Sequence, residues 1–140
     1  MNKLPPREKV PEAFTAIADG RISLQEGEAF CSSSDGKKRY HIRFQGDRYV
    51  SDDNASYWQG YPGYPVIAVL LLEGKLPLKE EAKFFAGINW HELNKKHKRN
   101  YREAYEEVLQ SLPDPARADA YVEEVYQALC VMPIEIGRKL

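Results

Sequence analysis

Hydrophobic and polar side chains alternate along the N-terminal third of the chain. The clearest case runs from Arg39 to Gln45, where apolar residues at 40, 42 and 44 are separated by polar residues at 41, 43 and 45. Alternation with a period of two is typical of a strand that buries one face. The turn pairs Asp35-Gly36 and Gly46-Asp47 bound this segment and favour hairpins. The pattern therefore predicts three to four antiparallel strands over about residues 21–51, the others lying near residues 22–24, 29–34 and 48–51.

After residue 51 the pattern changes to that of helices. Residues 66–72 are apolar throughout and lie between Pro65 and Gly74, which predicts a helix buried in the middle of the core. A fully buried strand over the same residues would give the same pattern and remains an alternative. Further helices are expected over residues 11–19, 78–86, 91–112 and 116–131. Strands followed by helices predict an α+β fold, in which a small antiparallel sheet packs against a helical C-terminal half.

The composition is that of one globular domain. The chain has 140 residues, of which 43% are hydrophobic and 29% charged, and its formal net charge is −1. We therefore expect a single domain over residues 1–140, with a Pro-rich leader over residues 1–10. A near-zero net charge gives no global field that would attract nucleic acid or an anionic membrane.

The expected cellular location and cofactors are inferred mainly from features that are absent from the sequence. The longest apolar run, residues 66–72, is far shorter than the about 20 residues of a spanning helix. No signal peptide precedes it, so a cytoplasmic protein without membrane association is expected. Cys31 and Cys130 lie too far apart for a zinc-binding pair, and His91 has no second histidine four residues later. We expect neither a metal nor another cofactor.

An aromatic turn is the most unusual segment. It contains Tyr57, Trp58, Tyr61 and Tyr64 together with two glycines. Exposed aromatic faces bind sugars, bases or peptides, and glycines let a ligand approach the backbone. The alternative is that the rings pack over the sheet and lead the chain into the following helix. The turn is therefore the candidate surface for a ligand or partner.

A basic run between residues 95 and 102 is the strongest local charge. On the predicted helix, four cations fall on one face and form a candidate anion-binding site: Lys95, Lys98, Arg99 and Arg102. Such a face could contact phosphates. Glu103 and Glu106 follow Arg99 and Arg102 by four residues, however, and pairing at this spacing neutralises part of the charge. An ordinary solvated helix face is the alternative.

Three functions of different classes follow from these features. No catalytic motif is recognisable, and the abundant tyrosine and tryptophan favour a small interaction or structural module, with self-association as one form of it. The second hypothesis is a nucleic-acid-binding protein that uses the basic helix face. The third is an enzyme with a site near the aromatic turn, where His41 with Asp52 and Asp53 would provide acid–base groups. The catalytic residues and the identity of any ligand are left open by the sequence.

Overall fold

The chain folds into one mixed sheet and a helical layer, as seen in a computed structural model that describes residue 1 and residues 3–140. The helices and strands, in chain order, are α1 (Lys9–Ala18), β1 (Ile22–Gln25), β2 (Glu28–Ser32), β3 (Arg39–Gln45), β4 (Arg48–Ser51), a π-helical turn (Ala55–Gln59), α2 (Tyr64–Leu72), a 3-10 helix (Glu80–Phe85), α3 (Trp90–Lys96), α4 (Tyr101–Ser111), α5 (Pro115–Cys130) and β5 (Glu135–Gly137). The predicted α+β class and the helical C-terminal half are confirmed.

The sheet has five strands in the order β1-β2-β3-β4-β5. The first three pairings are antiparallel, as the meander predicts, and β4 and β5 pair in parallel, with Val50 opposite Gly137. The predicted count of three to four strands is therefore too low, and the sheet is mixed rather than antiparallel. The missed strand has only three residues, too few to show an alternating pattern.

The two faces of the sheet differ in polarity. Ala29, Cys31 and Ile42 point towards the helices and are fully buried. Phe30 and His41, which are paired across β2 and β3, point the other way and remain partly exposed. We call this second side the outer face. The alternation seen in the sequence thus corresponds to one covered and one solvated face.

The apolar run at residues 66–72 is helical, which confirms the predicted buried helix and excludes the alternative of a strand. Helix α2 begins at Tyr64 with Pro65 in its first turn, and its residues from Pro65 to Leu71 are all buried. It contacts α1 on one side and β1, β3 and β4 on the other. A helix that is covered on both sides needs apolar residues all round, as this one has.

Helix α1 connects α2 to the remaining helices. Its Phe14 stacks on Tyr121 of α5, with ring centroids 4.5 Å apart, and lies 5.5 Å from the ring of Phe85. The hydroxyl of Tyr121 donates to the carbonyl oxygen of Pro77 and accepts from the backbone N–H of Lys79, each at 2.8 Å. These contacts fix the 3-10 helix, which lies within the helix predicted over residues 78–86.

The single helix predicted over residues 91–112 is wrong, because the segment forms two helices. Lys98 and Arg99 adopt left-handed backbone conformations with φ of 54° and 68°, which end α3. The side chain of Asn100 then accepts a hydrogen bond from the backbone N–H of Glu103 and caps α4. Such a cap offers the backbone an alternative to a continuous helix.

Candidate functional site

Asp53 fixes the segment that carries the aromatic residues. Its buried carboxylate accepts hydrogen bonds from the hydroxyl of Ser51 and, at 3.0 Å, from the backbone N–H of Ser56. The hydroxyl of Ser56 in turn accepts from the backbone N–H of Gly63, also at 3.0 Å. The π-helical turn is therefore tied both to the end of β4 and to the start of α2.

Trp58 projects from this turn into solvent. Its side chain is 64% exposed, and it meets Tyr57 edge to face with ring centroids 4.8 Å apart. The guanidinium of Arg138 lies 4.9 Å from the Tyr57 ring and 5.2 Å from the Trp58 ring. Arg138 also donates from Nε to the carbonyl oxygen of Tyr57 at 3.0 Å. The two rings are thus held in place although they face water.

The other two aromatic residues of the turn lie elsewhere. Tyr61 lies beneath the ammonium of Lys3, which is 5.4 Å from its ring. Tyr64 faces a different side of the molecule, edge to face with Tyr40 at 6.3 Å. Burial raises the pKa of the Tyr64 hydroxyl well above its usual range. Of the four predicted surface residues, only Tyr57 and Trp58 therefore form a shared surface, and Tyr64 belongs to a separate cleft.

The outer face of the sheet extends the surface around Trp58. Phe30 and His41 stack in parallel with centroids 4.5 Å apart, and the guanidinium of Arg39 lies 4.1 Å from the Phe30 ring. A shallow groove of ≈ 170 Å³ between His41 and Tyr57 links the two aromatic groups. We call the whole set the aromatic–arginine strip; it comprises Phe30, Arg39, His41, Arg43, Tyr57, Trp58 and Arg138.

The strip covers part of the sheet. Val50 lies on the outer face, opposite Arg43, yet it is only 5% exposed. It lines the same groove as Tyr57 and Arg138, which shield it from water. Sequence reasoning had not selected Phe30 or Arg138, because only the strand register and the parallel β5 bring them to this surface.

His41 and Asp52 meet in the groove, but Asp53 does not join them. The carboxylate of Asp52 accepts from the backbone N–H of His41 at 2.9 Å, and the imidazole Nε2 of His41 lies 2.7 Å from a carboxylate oxygen of Glu28. Asp53 is turned inward and holds the π-helical turn. The three residues suggested as an acid–base site therefore do not converge: His41 and Asp52 lie at the surface, and Asp53 holds the π-helical turn.

The predicted basic face is interrupted by the loop between α3 and α4. Lys95 lies in the last turn of α3, Lys98 and Arg99 lie in the loop, and Arg102 lies in α4. Arg102 donates from Nε to Glu106 at 3.3 Å, as the four-residue spacing predicts. Lys95, Lys98 and Arg99 are exposed and form no ion pair with any residue that the structure describes. These cations therefore do not share one helix face.

Metal-ligating side chains are scattered. Within residue 1 and residues 3–140, no three His, Cys, Asp or Glu side chains come close enough to hold a metal ion. Burial raises the pKa of the Cys31 thiol to about 11, whereas Cys130 is partly exposed. In the same part of the chain, no helix combines the length and apolarity needed to cross a membrane.

The comparisons with known proteins return one family. A family model described as "Uncharacterised conserved protein UCP014422" matches residues 2–135, a segment that contains Tyr57 and Trp58 and ends before Arg138. No curated protein and no solved structure matches the chain.

Proposed function

We propose that this chain, which belongs to the uncharacterised conserved protein family UCP014422, is a protein-interaction module that self-associates through the aromatic–arginine strip. The observation that carries the proposal is the exposure of Trp58, which is 64% accessible although Tyr57 and Arg138 hold it in a defined position. A rigid, exposed tryptophan beside a tyrosine and an arginine is the composition of an interface hot spot.

The charges of the strip favour a second copy as the partner. Arg39, Arg43 and Arg138 lie on the outer face beside the carboxylates of Glu28 and Asp52. In a two-fold contact the same patch faces itself, so arginines of one copy can meet the two carboxylates of the other. A surface that carries both charges is therefore complementary to itself.

We expect Trp58→Ala to abolish self-association while the fold stays stable. The exposed ring has few contacts to lose within one copy, but it supplies much of the apolar area of the proposed interface. Analytical ultracentrifugation from about 1 μM to about 200 μM should give a dimer for the unmodified chain and a monomer for the variant. Thermal unfolding of the variant, measured on its monomer, should change little.

Leu78→Ala is the matched control, since Leu78 is 41% exposed and lies on the helical layer near Ile17 and Ala18. This variant should associate as the unmodified chain does. An unmodified chain that stays monomeric over the whole concentration range would contradict the proposal, as would a Trp58→Ala variant that still dimerises.

Nucleic-acid binding is the second candidate, because the strip offers stacked rings and arginines on an open sheet face. We expect this binding to be weak, since the net charge is −1 and part of the basic segment is neutralised by ion pairs such as Lys96 with Glu107. Titration of labelled single- and double-stranded oligonucleotides at about 0.15 M salt tests this. Sub-micromolar, strongly salt-dependent binding would reverse the ranking. Its loss in the Trp58→Ala variant would assign it to the strip, and its loss in a quadruple alanine variant at Lys95, Lys98, Arg99 and Arg102 would assign it to the basic segment.

A further inference from the structure

A second cleft lies between α1, the β2–β3 turn and α3, away from the strip. Its volume is ≈ 170 Å³, and polar or charged side chains from six separate segments line it: Glu12, Arg21, Asp35, Tyr40, Tyr64 and Asn94. None of these six was selected for this cleft from the sequence, where they are spread over more than eighty positions. Convergent polar groups in a concave site are typical of a small-molecule pocket.

Glu12 is the most unusual group in the cleft. It is only 7% exposed, and its one hydrogen bond within the described residues is a long one, 3.4 Å from the amide of Asn94 to Oε1. Burial raises the pKa of its carboxyl above the ordinary value, although Lys9 and Arg21 act in the opposite direction and Glu8 adds to the rise. A buried carboxyl without a close ion pair is costly, and such groups occur preferentially at functional sites.

Arg21 is the complementary group. It donates from Nη1 to the carbonyl oxygen of Ser32, and its guanidinium lies 6.0 Å from the Tyr64 ring. Arg21 forms no ion pair with any described residue, so it and Glu12 share the cleft without neutralising one another directly. The carboxyl group of Glu12 and the guanidinium of Arg21 therefore line the same cleft without forming an ion pair with each other.

The rim of the cleft joins the hairpin turn to α3. The backbone N–H of His91 donates to the hydroxyl of Ser34 at 3.2 Å, and the imidazole of His91 lies 3.8 Å from the carboxylate of Asp35. Lys38 also lines the cleft. With Glu12 and Asp35 on one hand and Arg21 and Lys38 on the other, the lining carries two charges of each sign.

We propose that this cleft binds a small zwitterion of the α-amino-acid class, with its carboxylate on Arg21 and its ammonium group on Glu12. A simple anion would meet the two carboxylates, and a simple cation would meet Arg21 and Lys38. A ligand that carries both charges on neighbouring atoms satisfies both groups at once. The rings of Tyr40 and Tyr64, edge to face at 6.3 Å, form an apolar wall for the ligand's side chain.

The test uses the full chain and the twenty common L-amino acids, each added at up to about 10 mM and followed by ligand-observed NMR. For every amino acid that binds, the corresponding amine without the carboxyl group and the acid without the amino group are the matched probes. We expect at least one amino acid to bind with a Kd of about 1 mM or tighter, and both of its analogues to bind at least tenfold more weakly.

Glu12→Gln and Arg21→Gln should each weaken this binding at least tenfold. Glu12→Gln also provides its own folding control, because a pKa raised by folding means that the ionised carboxylate destabilises the native state above that pKa. The variant's melting temperature should therefore equal or exceed that of the unmodified chain at neutral pH, and the gain should vanish on acidification below the ordinary carboxyl pKa. If Arg21→Gln unfolds, Arg21→Lys replaces it, and this variant should also weaken binding because an ammonium lacks the planar pair of donors that fits a carboxylate.

Three results would overturn the proposal: no amino acid binds, an amine or a carboxylic acid binds as tightly as the amino acid, or binding survives Glu12→Gln. The strip provides an independent reference, because Trp58→Ala should leave amino-acid binding unchanged. Failure of self-association and failure of ligand binding are thereby distinguished.

Discussion

Leu70→Ala lowers the free energy of unfolding by about 2–5 kcal/mol, because it truncates a side chain at the centre of the core. Leu70 is completely buried in α2, which is covered by α1 on one side and by the sheet on the other. Truncation removes the burial of its methyl groups and leaves a cavity that neighbours on both sides cannot easily fill. Urea denaturation followed by circular dichroism measures the change.

Val131→Ala is the control for this experiment. Val131 is an aliphatic residue just beyond α5 and is 81% exposed, so its truncation should change the stability by less than about 0.5 kcal/mol. Leu70→Asp should prevent folding, since it buries a charge without a partner. A Leu70→Asp chain with an unchanged melting temperature would show that α2 is not the centre of the core.

Gly63→Ala destabilises the protein by about 1–3 kcal/mol, through a steric clash and not through the backbone. Gly63 has an ordinary φ of −74°, but a Cβ at this position would lie 2.0 Å from Oδ2 and 2.8 Å from Cγ of Asp53. Asp53 is held by Ser51 and Ser56 and cannot move without releasing the π-helical turn. Thermal unfolding measures the loss.

A double-mutant cycle identifies the cause. Asp53→Ala removes the atoms that a methyl group at Gly63 would strike, so Gly63→Ala should be much less harmful in the Asp53→Ala background than in the unmodified chain. Equal losses in the two backgrounds would mean that the clash with Asp53 is not responsible.

The parts of the fold that the sequence predicted correctly are those specified by neighbouring residues. The alternation from Arg39 to Gln45 and the positive φ of Gly36 and Gly46 define the hairpins locally. The apolar run of α2 alone fits either a buried helix or a buried strand, and the neighbouring Pro65 favoured the helix. In both cases the signal lies within a few residues of the element that it predicts.

The missed features depend on distant contacts or on a weak local conflict. β5 exists because β4 offers it hydrogen bonds, and its three residues alone do not specify a strand. The predicted long helix is divided by the left-handed backbone conformations of Lys98 and Arg99. Residues other than glycine rarely adopt such conformations, and this segment contains no glycine that would indicate them. The Asn100 cap was the one local signal that could have been used.

The candidate sites also divide into residues that the local sequence indicates and residues that only the fold brings together. Tyr57 and Trp58 attracted attention because the aromatic residues are close in sequence, and they do share a surface. Tyr64 follows in the same segment but lies in the other cleft, because the chain turns into α2 between them. Glu12 and Arg21 were not selected from the sequence, because one isolated acidic and one isolated basic residue are typical of ordinary surface charges. Only the fold shows that Glu12 is buried.

The contact between Arg138 and Tyr57 joins residues that are 81 positions apart. Arg138 reaches the rings only after the five α-helices have been synthesised and β5 has paired with β4. A nascent chain on the ribosome therefore exposes Trp58 without its arginine for most of its synthesis. In the folded protein, we expect fraying of the three-residue strand β5 to release the same arginine before the core opens. The strip is therefore complete only when β5 has paired with β4.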